Sequence, residues 1–165
     1  MQHVRPYADR PVSIHVVRHA KAGNRADWHQ PDELRPLSRS GRAQADALVE
    51  LLGTAPIKRI LSSRFRRCTE TVAPLAERLG LEVEGHPALA EEADVADTLA
   101  LLEELAGTEA VVCTHGNLIG PLLNRLHRRG VELSDRWVCK KGSVWTIEPG
   151  DGDAFTSARY APPPA

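Results

Sequence analysis

Short apolar runs alternate along this chain with longer stretches whose apolar positions recur every three or four residues. The runs fall near 12–18, 57–62, 110–114, 143–148 and 154–159, with a weaker one at 81–84. Their length and β-branched content predict strands. The periodic stretches predict helices over 39–52, 66–79, 94–106 and 117–129. Ser38 stands where the first helix needs an N-cap, and Gly80 where the second needs a stop. Alternation of this kind implies α/β architecture: a single-domain, three-layer α/β/α sandwich around a mainly parallel sheet. Residues 21–37, with Trp28, Pro31 and Pro36, form a long loop after the first strand. A loop of that length beside a site often serves as its wall.

Composition narrows the picture. The chain has 165 residues, enough for one domain with a core over about 12–159 and a Pro-rich tail at 160–165 that is expected to fray. Lys and Arg number 21 against 22 Asp and Glu, a net charge of −1, which argues against a dedicated nucleic-acid binder. No apolar run approaches the roughly 20 residues that span a bilayer, so no membrane partner is expected. Met1 to Arg10 is polar and unlike a signal peptide. Three scattered cysteines imply no disulfide framework and suit a reducing cytoplasm, with Cys113 an inert core thiol.

The chemistry gathers at three strand ends. The first run closes on Arg18-His19, the second leads through Ser62-Ser63 into Arg64-Phe65-Arg66-Arg67, and the third closes on Thr114-His115-Gly116-Asn117. Carboxyl ends of strands in an open α/β sheet are where ligands bind. An imidazole can attack, guanidiniums can hold an anion, and backbone N–H groups at Gly116 and Asn117 can meet an oxyanion at a helix start. Arg67 falls near the start of its helix; Arg64 and Arg66 are expected to face solvent or a distal part of a substrate. Each junction alone reads as an ordinary polar strand end; three together do not.

In order, Val17-Arg18-His19-Ala20, Ser62-Ser63-Arg64-Phe65-Arg66-Arg67-Cys68-Thr69-Glu70-Thr71 and Thr114-His115-Gly116-Asn117 resemble the three signatures of the histidine phosphatase superfamily. Leu37-Ser38-Arg39-Ser40-Gly41-Arg42-Ala43-Gln44-Ala45 resembles that family's first-helix entry, and Leu89-Ala90-Glu91 its general-acid segment. The layout is similar to the SixA-type phosphohistidine phosphatases. Lys141-Gly142-Ser143-Val144-Trp145 resembles the phosphatase-like C-terminal domain of some actinobacterial Nudix hydrolases. Two departures stand out: the residue after the nucleophile is commonly Gly and here is Ala20, and the longer acid motif of phosphoglycerate mutases is absent after Glu91.

The resemblance implies a metal-independent phosphatase with no cofactor. It makes His19 the phosphorylated nucleophile, Arg18 and Arg67 the phosphoryl grip, His115 a further donor, and Glu91 the acid that protonates a leaving oxygen, with Glu92 its competitor. The expected substrate is a phosphorylated small molecule, a nucleotide or a phosphoprotein. A nucleotide or polyphosphate hydrolase is the alternative. A non-catalytic phosphate-binding regulatory module is a third reading, which the joint presence of His19, Arg18, Arg67 and His115 disfavours. His15 and His19 could share a strand face as metal ligands, but no third ligand joins them. His3, His29, His86 and His127 have no partner pattern. Trp137 and Trp145 are expected in packing, and Lys140 and Lys141 in solvent.

Overall fold

The computed structural model describes residues 12–135, 138–150 and 155–164. His3, Trp137 and the first residue of the expected 154–159 strand lie outside them. Seven strands form one sheet in the order β3-β2-β4-β1-β6-β7-β5. They are β1 (Ile14–Arg18), β2 (Arg59–Ser62), β3 (Val83–Gly85), β4 (Ala110–Thr114), β5 (Glu132–Leu133), β6 (Val144–Pro149) and β7 (Phe155–Ala161). Four helices cross between them: α1 (Arg39–Leu52), α2 (Arg66–Leu79), α3 (Val95–Leu105) and α4 (Gly116–Arg128).

The first four strands of the sheet run parallel, β6 is antiparallel to β1 and to β7, and β5 is parallel to β7. Strand alternation sorts the apolar side chains into two cores, one on each face. Val17, Ile60, Val111 and Cys113 pack against Leu48 and Leu52 of α1 and Val72 and Leu75 of α2. Val16, Leu61 and Val112 pack against Leu102 of α3 and Leu122 and Leu126 of α4. The three layers follow from that division. Trp145 lies in the second core, fully buried.

Local signals explain where elements begin and end. The Ser38 hydroxyl accepts from the Gly41 amide at 3.1 Å and caps α1. Gly80 ends α2 in the left-handed conformation, φ 67°, with its N–H turned back to the helix carbonyls. The long loop is not featureless. It holds 3₁₀ turns at Arg25–Asp27 and Asp32–Leu34, and Ala22 bridges Leu37. The tail departs from expectation. β7 pairs with β6 as far as Ala161, and Pro163 and Pro164 beyond it are half-buried.

Register brings the functional ends level. Arg18 pairs with Thr114 across β1 and β4, and Ser62 with Cys113 across β2 and β4. Beyond the strands, the His19 amide donates to the Thr114 carbonyl at 3.1 Å and the Ser63 amide to the Cys113 carbonyl at 3.0 Å. The turn at Gly142, φ 82°, backs this edge: its amide donates to the Arg18 carbonyl at 3.1 Å.

Candidate active site

His19 sits at the end of β1, nearly enclosed. Its Nδ1 lies 2.8 Å from the carbonyl of Ala20. A carbonyl only accepts, so Nδ1 carries the proton and Nε2 keeps its lone pair. Burial pushes the His19 pKa down to about 4, and the charges of Arg67, Arg18 and Lys141 act in the same direction against the opposing pull of the Ala20 carbonyl. The ring is therefore neutral near pH 7. Ala20 is buried in a small cluster with Leu37 and Ala45, and its amide donates to the Thr71 hydroxyl at 2.9 Å. The methyl group that departs from the family pattern is thus packing material.

His115 follows β4, its ring centroid 5.4 Å from that of His19. Its Nε2 lies 2.9 Å from the Ser63 hydroxyl and 3.6 Å from the Cys68 thiol. The Ser63 hydroxyl also accepts from the Phe65 amide and has its own proton free to donate to Nε2. With that donation Nδ1 is the N–H, buried and without a hydrogen-bond partner among the described residues. Its nearest carboxylate oxygen, on Glu91, is 3.8 Å away. Burial pushes the His115 pKa down to about 3, helped by His19 and Arg67 and opposed by Asp32.

Arg67, on the first turn of α2, is 1% exposed and packs over the ring of Phe65. Its Nη2 meets Glu91 and, at 3.1 Å, Asp32, and its Nη1 donates to the Asp32 carbonyl at 3.1 Å. Its Nε is buried without a partner, and so is the Nε of Arg18, whose Nη1 donates to the Cys139 carbonyl. Three unsatisfied buried N–H groups, from Arg18, Arg67 and His115, thus accompany the free Nε2 of His19. Leaving such donors unpaired is costly, and donors of this kind suit a bound anion.

The acid segment is held in place by its neighbours. Asn117 donates to the Glu91 carbonyl at 2.8 Å, and Thr114 to the Leu89 carbonyl at 2.6 Å. Gly116 is there for room: a Cβ would lie 2.7 Å from the Arg18 guanidinium carbon. Glu92 pairs with Arg64 at 2.6 Å, not with Arg67. Arg64 also reaches Glu33 at 3.1 Å, so its partners are carboxylates of the wall and of the acid segment. The cavity beside Glu91 measures about 490 Å³ and is lined by Phe65, Asn117 and the carboxylates of Asp32, Glu33, Glu91 and Glu92.

The remaining sequence candidates lie apart. His15 bonds Thr146 at 3.0 Å and Glu109 at 3.3 Å. His86 accepts from the Ala88 amide, and His29 is exposed. Among the described residues no group of three His, Cys, Asp or Glu side chains is placed to hold a metal ion, and no helix is long and apolar enough to cross a membrane. Asp32, Arg35, Gln44 and Ser63 were missed. Arg35, buried, pairs with Asp32 at 3.0 Å. Burial raises the Asp32 pKa, but the Arg35 hydrogen bond and the charges of Arg67, Arg35 and Arg25 outweigh it and hold the carboxyl below its usual range. Gln44 joins the two loops flanking β1 and β6, accepting from the Lys21 amide and donating to the Lys141 carbonyl. The only sequence signal for these four was their place within motif segments or the long loop.

Comparison with known proteins agrees with this layout. The profile of the histidine phosphatase superfamily (branch 1) matches residues 14–97. An 8-oxo-(d)GTP phosphatase of Mycolicibacterium smegmatis is 36% identical over 98% of this chain and 52% of its own length. The chain spans about half the length of the curated relatives it matches. Among solved structures, the protein histidine phosphatase SixA complexed with tungstate superposes with a TM-score of 0.68 at 23% identity, covering 87% of this chain and 92% of that one. A mycobacterial glucosyl-3-phosphoglycerate phosphatase gives 0.67 at 20% identity, covering 92% and 97%. At these identities the two structures share the fold.

Proposed function

The chain belongs to the histidine phosphatase superfamily, and on that premise we propose that it is a phosphatase that works without a metal, through a phosphohistidine formed on His19. The observation that carries this reading is the set of unsatisfied buried N–H groups on Arg18, Arg67 and His115 around a neutral imidazole whose Nε2 is free. Phosphoryl transfer needs positive charge and alignment, and two guanidiniums supply both where no donor set for a metal is seen among the described residues.

In the first step the N–P bond forms at His19 Nε2 as the bond from phosphorus to the leaving atom breaks. Glu91 gives its proton to that atom, and His19 Nδ1–H holds the growing imidazolium against the Ala20 carbonyl. In the second step Glu91 takes a proton from water as its oxygen bonds to phosphorus and the N–P bond breaks, which restores neutral His19. Arg18, Arg67 and His115 follow the charge on the equatorial oxygens, with the backbone N–H groups of Gly116 and Asn117 at the start of α4. We place this activity in the cytoplasm, where three unpaired thiols are stable.

The substrate we favour is a phosphohistidine or a phosphomonoester. A second reading, hydrolysis of nucleotide phosphates, is favoured by the likeness to the 8-oxo-(d)GTP phosphatase, which runs over nearly all of this chain. A panel of phosphohistidine protein, nucleoside mono-, di- and triphosphates and sugar phosphates, assayed in EDTA, separates the two. Turnover surviving EDTA and led by phosphohistidine or monoesters is expected. Turnover led by nucleoside triphosphates shifts the substrate to the second reading, and strict dependence on added metal contradicts the mechanism.

A further inference from the structure

Two arginines tie the wall loop to the acid segment like rungs of a ladder. The inner rung is Asp32–Arg67–Glu91, and the outer rung is Glu33–Arg64–Glu92, with contacts of 3.1 and 2.6 Å on its two sides. All four carboxylates line the cavity beside Glu91. The outer rung has two carboxylates and one guanidinium and so carries a net charge of −1; the inner rung carries no such excess, because Asp32 also pairs with Arg35 at 3.0 Å and Arg25 at 3.7 Å and Glu91 holds the proton that it donates.

The side of the site from which a leaving group departs follows from the proposed phosphoryl position. Arg67 Nε and His115 Nδ1 belong to side chains 1% and 3% exposed, and both are unpartnered. Together with Arg18 they mark where the phosphoryl group sits. Glu91 must reach the departing atom, so the leaving group lies on the Glu91 side, between the rungs. We propose that this anionic outer rung makes the site select phosphoryl compounds whose leaving group is cationic or neutral and reject those whose leaving group is anionic. The inference rests on the phosphoryl-transfer reading above and names its substrate class. A phosphohistidine, whose imidazole departs as a base, fits the cavity. The terminal phosphate of a nucleoside triphosphate, whose leaving group carries several negative charges, does not.

The side chains of Glu33, Arg64 and Glu92 are 45%, 53% and 59% exposed, so the preference is moderate and salt-sensitive. The test uses three alkyl phosphates that differ mainly in leaving-group charge: phosphocholine, ethyl phosphate and phosphoglycolate. At low salt kcat/KM should fall in that order, with about a tenfold span, and the span should shrink in high salt. Replacing both outer carboxylates (Glu33→Gln with Glu92→Gln) changes the outer rung from −1 to +1 and should level or reverse the order. Arg64→Gln leaves two unopposed carboxylates and should steepen it. Where turnover is slow, the same esters used as competitors of phosphoenzyme formation report the order. A wild-type protein indifferent to charge, or an order unmoved in both variants, overturns the proposal while leaving the phosphoenzyme intact. Absence of phosphate on His19 overturns the reading beneath it, and the preference with it.

Discussion

Arg67 is almost wholly enclosed, yet it meets two carboxylates and keeps its Nε uncommitted. A lysine there would keep the charge and lose the planar fork. Arg67→Lys should lower turnover on the order of 10²-fold, as for loss of one preorganised donor. Arg64→Lys, at an exposed outer position, should cost far less with an uncharged aryl leaving group, and comparable losses would show that the arginine motif has been aligned wrongly. The histidines make a second prediction. With pKa values near 4 and 3, His19 and His115 should stay neutral on NMR titration until well below pH 5. The sign for folding follows. The unfolded rings take up protons near pH 6.5 and the folded rings refuse them until about pH 4 for His19, so stability is unaffected above that window and declines as pH falls through it. For His19 the decline is on the order of 3 kcal/mol. Titration of both rings near 6.5 would contradict the buried, cation-flanked site. His19, Arg18, Arg67 and His115 were legible in the sequence because they end apolar runs or open helices. Asp32 and Arg35 were not, because a loop has no periodicity to mark which polar side chain turns inward.

Among the elements, α1 and α2 match their expected spans residue for residue, since a polar cap at Ser38 and a left-handed glycine at Gly80 announce their ends. β5 escaped notice: two residues paired only with β7 leave no apolar run to read. The antiparallel direction of β6 and β7 was equally silent, because apolar content does not encode strand direction. The start of α1 is where element and site meet. A Cβ on Gly41 would lie 1.9 Å from the Lys21 carbonyl oxygen, so the helix docks on the loop directly after His19. Gly41→Ala must push backbone against backbone and should destabilise the fold by about 3 kcal/mol, at the upper end for overpacking. Urea unfolding measures it, and a shift under about 0.5 kcal/mol would show that the contact yields freely.

At the scale of the molecule, the sheet order places β4 between β1 and β2, so residues separated by nearly a hundred positions end side by side. Three strand ends deliver the proposed nucleophile, the proposed grip and the second imidazole to one edge. The wall loop and the acid segment, joined through Arg64 and Arg67, close the remaining side. This convergence was foreseeable from strand–helix alternation; the carboxylate ladder was not, since its partners come from segments without regular structure. The proposed mechanism has one direct consequence, a covalent intermediate on His19. The protein should be mixed briefly with an aryl phosphate in EDTA, quenched in base, and its peptides mapped by mass. The phosphate is expected on His19, stable in base, lost in acid, and absent from His19→Ala. Phosphate on any other residue, or turnover retained by His19→Ala, would contradict it.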